Sequence, residues 1–148
     1  MLMNIPDYAQ CGFPMRDDRT ATHLAAWRHV CSPGAHFTAV ARIDMIREAR
    51  GARTCRLCDA RQAALSPYAV PGEHDTATSL TAPITDLIHR MCTDPARITK
   101  SWFDQTRSTG LTPGEYVETV GVVAIAVIID TLLSHASPMP PAFPWTAS

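Results

Sequence analysis

Apolar residues recur along this chain at helical rather than strand spacing. The opening segment, residues 1–19, is irregular, with Pro6, Gly12 and Pro14 as breakers. A helix is predicted from about residue 20, with Leu24, Trp27, Val30 and Cys31 on one face and Ser32-Pro33-Gly34 as its stop. A second is predicted over about 37–50, with Phe37, Val40, Ala41 and Ile43 as its early apolar positions and Gly51 ending it. Thr54 is the expected N-cap of a short helix over about 55–65, which Ser66-Pro67 breaks. Residues 66–82 read as a loop, with a turn at Pro71-Gly72 and a polar cluster at Glu73-His74-Asp75.

Pro83 can open the next helix, where Ile84, Leu87, Ile88 and Met91 keep the i, i+3, i+4, i+7 spacing of a buried stripe. Asp94-Pro95 starts another, with Ile98, Trp102 and Phe103 inward and Gly110 closing it. The last helix has the clearest start: Thr112 as cap, Pro113 at the first helical position and Glu115 completing a capping box. It is predicted to run to about residue 134. Its middle is apolar all round, which places it centrally or in a subunit interface. The tail, 137–148, holds four prolines and is expected to be extended. With no strand pattern and no internal repeat, the expectation is one all-α domain of about six helices spanning residues 1–148.

Bulk properties narrow the function only a little. The 148 residues suit one domain with one core. A formal net charge of −1 gives no case for a nucleic-acid partner. The longest apolar stretch, 120–129, is about half of the roughly 20 residues a membrane span needs and is bounded by Glu118 and Asp130. No signal peptide is read at the start, so a cytoplasmic location and no membrane partner are expected. Arginines gather at positions 42, 47, 50, 53, 56 and 61, making a locally basic neighbourhood that could equally be a solvated helix face.

Cys55-Arg56-Leu57-Cys58 lies in that neighbourhood. Two thiols three positions apart can close a disulfide, attack a peroxide or hold a soft metal. Five cysteines with only one close pair do not form a disulfide framework. Zinc usually needs a second CxxC or a Cys/His pair at a standard spacing. Cys31 and His36, or His74, could complete four ligands, but neither spacing is standard, so no metal and no cofactor are expected. A helix start at Cys55 would favour its thiolate through the helix dipole, with Arg53 and Arg56 adding charge. Cys58, one turn on, could condense with an oxidised partner. Cys31 and Cys92 fall in apolar stripes and read as small core residues.

Residues 46–75, IREARGARTCRLCDARQAALSPYAVPGEHD, resemble the carboxymuconolactone decarboxylase and alkylhydroperoxidase D superfamily, in its alkylhydroperoxidase-related branch. Ile88-His89-Arg90, Thr93-Asp94-Pro95-Ala96-Arg97, Gly110-Leu111-Thr112, Glu115-Tyr116-Val117-Glu118 and the apolar helix ending at Ile129-Asp130 resemble the same branch. The likeness spans about residues 20–142. It implies a helical fold around a CxxC helix, assembled as trimers or their multiples. It also implies that Cys58 attacks a hydroperoxide, that Cys55 resolves it, and that an external dithiol regenerates both. The dipole reading favours Cys55 as the more acidic thiol, and the two disagree.

This chain departs from the family at two positions. The family histidine four residues after the second cysteine is replaced by Gln62, which cannot relay a proton at neutral pH. The glutamate twelve residues before the first cysteine is replaced by Ile43. Glu48, His74 and His89 are the candidate substitutes. The expected function is a thiol-dependent peroxidase. The alternatives are a non-enzymatic protein whose CxxC responds to oxidation without turnover, and a scaffold with inert thiols.

Overall fold

Side chains at the helix ends decide where the elements begin. Thr38 accepts a hydrogen bond from the Ala41 backbone N–H at 3.2 Å and so starts one helix. Thr99 does the same for Trp102 at 3.2 Å. At Thr112 the predicted capping box forms in both directions: Thr112 N–H donates to Glu115 Oε2 at 2.9 Å, and Glu115 N–H donates to Thr112 Oγ1 at 3.2 Å. Each such cap is worth about 1 kcal/mol. The computed structural model describes residues 5–12 and 14–134. Its helices are α1 (Asp17–Val30), α2 (Ala39–Gly51), α3 (Arg56–Ala63), α4 (Ala82–Thr93), α5 (Lys100–Ser108) and α6 (Pro113–Ser134). There is no strand among the described residues, so the architecture is the expected all-α bundle of about six helices. The predicted extended tail lies outside the described residues.

The core forms where α1, α2 and α4 meet α6. Trp27 from α1, Met45 and Ile46 from α2, Leu87 and Ile88 from α4, and Val123 from α6 are all but excluded from solvent. Each such side chain stabilises the fold by roughly 1.5–3 kcal/mol. The stripe expected on α4 is present, with Ile84, Leu87 and Ile88 buried. Polar residues are buried beside it: Thr85, His89 and Arg90.

Two elements differ from the pattern reading. In α2 the exposed Val40 lies outward, while Arg42 and Glu48 are buried with Met45, Ile46 and Ala49. Hydropathy misplaces this face because each buried charge has a partner in another element. Second, the segment from Asp94 onwards is not one helix. Pro95–Arg97 is a 3-10 turn, Ile98 is extended, and the helix restarts at Lys100 under the Thr99 cap. The break turns Arg97 back onto α3, where its guanidinium donates to the carbonyls of Ala64 at 2.6 Å, Arg61 at 3.0 Å and Gln62 at 3.1 Å. The Arg61 carbonyl also accepts from the Ala64 N–H at 3.2 Å, and Arg97 supplies the further donors that the end of the short α3 needs.

Helix α6 has 22 residues and a mean hydropathy of 2.0, long and apolar enough to cross a membrane by those measures. It runs from Pro113 to Ser134, the span predicted for it. One face, with Thr119, Val122, Val123, Ala126 and Ile129, is built into the bundle. Val117 and Ile128 stay exposed. Arg42 to Glu118 (2.8 Å) and Arg50 to Asp130 (2.8 Å) clamp α6 along α2. Arg42 also donates to the carbonyls of His29 and Ser32 at 3.0 and 3.1 Å. Glu118→Ala leaves that guanidinium without its anion and is expected to destabilise the fold by about 3 kcal/mol in urea unfolding. The solvent-exposed pair Arg16–Asp18 is the control, where Arg16→Ala is expected to cost under about 0.5 kcal/mol.

Candidate functional site

The chain leaves α2 through a 3-10 turn, Ala52–Thr54, and enters α3 with Cys55 as the N-cap. The expected cap, Thr54, instead donates its hydroxyl to the Gly51 carbonyl at 3.2 Å. Cys55 has extended backbone angles, φ −76° and ψ 121°, and its carbonyl accepts from Asp59 N–H at 3.1 Å. Cys58 follows in the first helical turn. The two sulfurs lie 3.7 Å apart as free thiols, both buried.

The loop read as polar covers this helix start. Gly72 turns at φ +146°, a conformation L side chains rarely adopt, and a Cβ there would lie 3.0 Å from Leu57 Cδ1. The next residues face the dithiol. Asp75 accepts from the Arg56 backbone N–H at 2.9 Å and pairs with the Arg56 guanidinium at 2.8 Å. Its own N–H donates to Cys55 Sγ at 3.4 Å. Asp75 thus engages the Arg56 N–H and guanidinium, while the Cys58 N–H of the same helix start favours the Cys55 thiolate. The other clustered arginines that act here are likewise ion-pair partners: Arg42 with Glu118, Arg50 with Asp130 and Arg61 with Asp86.

Two histidines flank the sulfurs. His74 Nδ1 is 3.6 Å from Cys55 Sγ and 3.6 Å from Cys58 Sγ. His89 Nδ1, from α4, is 3.3 Å from Cys58 Sγ. Each ring is held from behind by a carboxylate. His89 Nε2 lies 2.8 Å from Glu48 Oε1, and both side chains are fully buried. Glu48 Oε2 accepts hydroxyls from Thr76 at 2.9 Å and Thr78 at 2.7 Å. His74 Nε2 lies 2.8 Å from Asp86 Oδ1. Asp86 also accepts from Arg61 at 2.9 Å, Trp102 Nε1 at 3.0 Å and Arg90 at 3.4 Å.

The fold therefore brings together all five residues singled out in the sequence: Cys55, Cys58, Glu48, His74 and His89. It leaves others out. Gln62 is exposed and donates to the Thr93 carbonyl at 3.1 Å. Cys31 and Cys92 pack partly buried against the main core. His36 sits by Gly114 and, through its backbone N–H, Glu118. Sequence reasoning missed Asp86, Thr76 and Thr78. For Asp86 a signal existed: it is polar next to an apolar stripe and lies three residues before His89 on the same helix face.

The surroundings favour thiolate. Burial pushes the Cys58 thiol up, but hydrogen bonding to His74 and His89 outweighs it and brings Cys58 from the ordinary 9.0 to about 6. Burial likewise opposes ionisation of Cys55, and the Cys58 backbone N–H, His74 and the Asp75 N–H together hold it below the usual thiol value. Burial disfavours the His74 cation, but Asp86 and the sulfurs lift it to about 10. His89 is raised against the same penalty by Cys58 and Glu48. Glu48 stays below the usual carboxylate value despite burial, through Thr78, His89 and Thr76. Nδ1 and Sγ donors of the four side chains converge within 4.8 Å of one another, so Cys55, Cys58, His74 and His89 could hold a metal that favours sulfur and imidazole.

Fold and site together define an all-α bundle with a buried dithiol–dihistidine centre. Compared with known proteins, the chain matches no family model, no curated protein and no solved structure.

In reduced, chelator-treated protein the Cys58 thiolate is present above about pH 6, so its alkylation rate should reach half-maximum there. Burial pushes Cys92 up to about 11, and it should stay unmodified at neutral pH. Asp86→Asn weakens the His74 cation and should move the Cys58 midpoint upwards. An unchanged midpoint would show that His74 does not set the thiol's acidity.

Proposed function

We propose that this protein is a dithiol redox protein of the alkylhydroperoxidase-like kind, reducing a hydroperoxide through Cys58 and Cys55. The observation that carries this reading is the buried relay from Cys58 Sγ to His89 Nδ1 at 3.3 Å and from His89 Nε2 to Glu48 at 2.8 Å. It offers the thiol–imidazole–carboxylate arrangement that Gln62 cannot provide. In the reaction the Cys58 thiolate attacks the peroxide's terminal oxygen, the O–O bond breaks, and the alkoxide takes a proton from the His89 imidazolium. Cys58 is then a sulfenic acid. Cys55 thiolate displaces its hydroxyl, closing the disulfide, and the hydroxide takes a proton to leave as water. An external dithiol returns both sulfurs to the reduced state. Its 3.7 Å distance from Cys58 puts the resolving thiol at hand. The lowering of Cys58 to about 6 supports the order of attack implied by the resemblance.

The burial of both thiols favours a second reading. With Cys55 at 0 % and Cys58 at 4 % exposure, oxidation without turnover would make the pair a switch that reshapes the 66–81 loop. A cavity of about 700 Å³ lined by Met15, Arg19, His23, Val127 and Ile128 shares no residue with the site and supports neither reading. We propose a reducing compartment, the cytoplasm, where an external dithiol is available to regenerate the pair. We also infer a homo-oligomer, a trimer or its multiple, joined through the apolar side of α6 that the bundle leaves uncovered.

Steady peroxide consumption with a dithiol donor should vanish in Cys58→Ser. It should fall about 10²–10⁴-fold in His89→Gln and change less than twofold in Gln62→Ala. Full activity in Cys58→Ser rules the mechanism out, and a single stoichiometric oxidation in the parent protein supports the switch. Separately, Ile128→Lys should lower the mass measured by light scattering towards that of one chain. An unaltered mass would place any assembly contact elsewhere.

A further inference from the structure

The inward-facing atoms of the site lie within 4.8 Å of one another, and the four distances between neighbouring atoms approach those of a metal centre. A tetrahedral zinc ion has bonds of about 2.3 Å to thiolate and about 2.0–2.1 Å to imidazole, which set two sulfurs about 3.8 Å apart and a sulfur about 3.6 Å from a nitrogen. The sulfurs here are 3.7 Å apart. His74 Nδ1 stands 3.6 Å from each of them, and His89 Nδ1 stands 3.3 Å from Cys58 Sγ. A single Nδ1–H would be directed at one sulfur. Equal distances to both are what a shared centre produces. We propose that Cys55, Cys58, His74 and His89 form a Cys2His2 site for one zinc ion per chain.

The outer contacts support this independently. A histidine bound to zinc through one nitrogen characteristically donates its other N–H to a carboxylate, which fixes the ring and its tautomer. Both histidines do so, each at 2.8 Å: His89 to Glu48 and His74 to Asp86. With Nε2–H committed in this way, the lone pair of each neutral ring is at Nδ1, the atom that faces the thiols. Two thiolates and two imidazoles select zinc over magnesium or calcium.

The sequence spacing hid the site. His74 and His89 follow Cys58 by 16 and 31 positions, and the histidines come from a loop and from a different helix rather than from one short motif. All four positions around the ion are filled by protein, and the ligands are buried or nearly so: 0 % and 4 % exposed for the cysteines, with side-chain exposures of 9 % for His74 and 0 % for His89. A closed site of this kind holds structure rather than activating water. It ties the 66–81 loop to α3 and α4. The inference does not rest on the peroxidase reading. The zinc-loaded chain keeps both thiolates from peroxide, and only the metal-free chain can run the dithiol cycle.

The test uses the full chain, reduced, stripped with a chelator and titrated in the absence of peroxide. Zinc is titrated against a chromophoric indicator, and cobalt(II) serves as the spectroscopic probe. One ion per chain is expected, with the visible bands of tetrahedral cobalt and a thiolate-to-cobalt charge-transfer band. Zinc should raise the thermal midpoint by about 5 °C or more. Cys55→Ser and Cys58→Ser should each weaken binding at least 100-fold, and Cys31→Ser and Cys92→Ser should leave it unchanged. His89→Ala is a further arm; should it fail to fold, the nearly isosteric serine variants carry the test. Substoichiometric binding, an octahedral cobalt spectrum, or equal affinity in Cys58→Ser would overturn the proposal. A chain that binds zinc yet consumes no peroxide when stripped overturns the peroxidase reading alone. One that turns over peroxide but binds no zinc overturns this one alone.

Discussion

A carboxylate buried to 1 % exposure in the last turn of α2, Glu48, constrains much of this molecule. Left alone, Glu48 would be too costly to keep ionised in the interior. Three donors resolve the conflict: His89 from α4, and Thr76 and Thr78 from the loop before it. Satisfying one charge therefore fixes the distance between two helices and lays the loop across them. That loop carries His74 and Asp75 to the start of α3, and Asp75 then supplies the capping contact that Cys55 does not make. The dithiol acquires its surroundings as a consequence of neutralising Glu48, although no part of Glu48 touches a sulfur.

Asp86 repeats the arrangement at the outer edge. It gathers His74, Arg61, Trp102 and Arg90, with the Arg90 guanidinium also stacked 4.4 Å from the Tyr68 ring. The two carboxylates orient the two imidazoles so that both Nδ1 atoms face inward. An arrangement that only needed to tolerate buried cysteine would not require this, because neutral thiols pack as small hydrophobes. The two oriented, carboxylate-backed rings favour negative charge on Cys58, and His74 with the Cys58 and Asp75 N–H groups favours it on Cys55.

How much of this was legible depended on the range of the physics involved. Local rules worked: the capping box at Thr112 and Glu115, the stripe of Ile84, Leu87 and Ile88, and the glycine at 72 all act within a few residues. The failures were long-range. Val40 looked like a core residue and Arg42 a surface one, because hydropathy does not register that Glu118, 76 positions away, waits for the guanidinium. The helix expected after Asp94 breaks because Arg97 is needed at the end of α3. The five candidate residues were recognisable one by one, but their convergence was not. Gln62 made the relay look incomplete, and only the return of α4 beside α3 supplies His89 in its place. Asp86 went unread for a similar reason: its meaning lies in four partners spread from Arg61 to Trp102.

If the centre takes zinc as proposed, the same geometry sets protons and metal in competition. In the metal-free chain the lowered thiols and the raised imidazoles favour negative charge on the sulfur atoms and protons on the ring nitrogens. In the zinc-loaded chain the ion occupies the space between those atoms, and the protons must leave. Metal uptake and thiol reactivity are then linked through one small volume. Low pH and oxidation both work against the ion, the first by protonating its ligands and the second by joining two of them in a disulfide. Peroxide chemistry needs Cys58 as a free thiolate beside a protonated His89, a state that exists only after the ion has gone. The carboxylates behind the rings serve both conditions without moving, because each accepts the Nε2–H whether Nδ1 carries a proton or a metal. A fold that had only to hold a structural ion could dispense with the thiolate-stabilising protons, and one that had only to reduce peroxide could dispense with the second histidine. If both proposals hold, retaining both would let one buried centre exchange between a closed, metal-held state and a reactive, proton-held one.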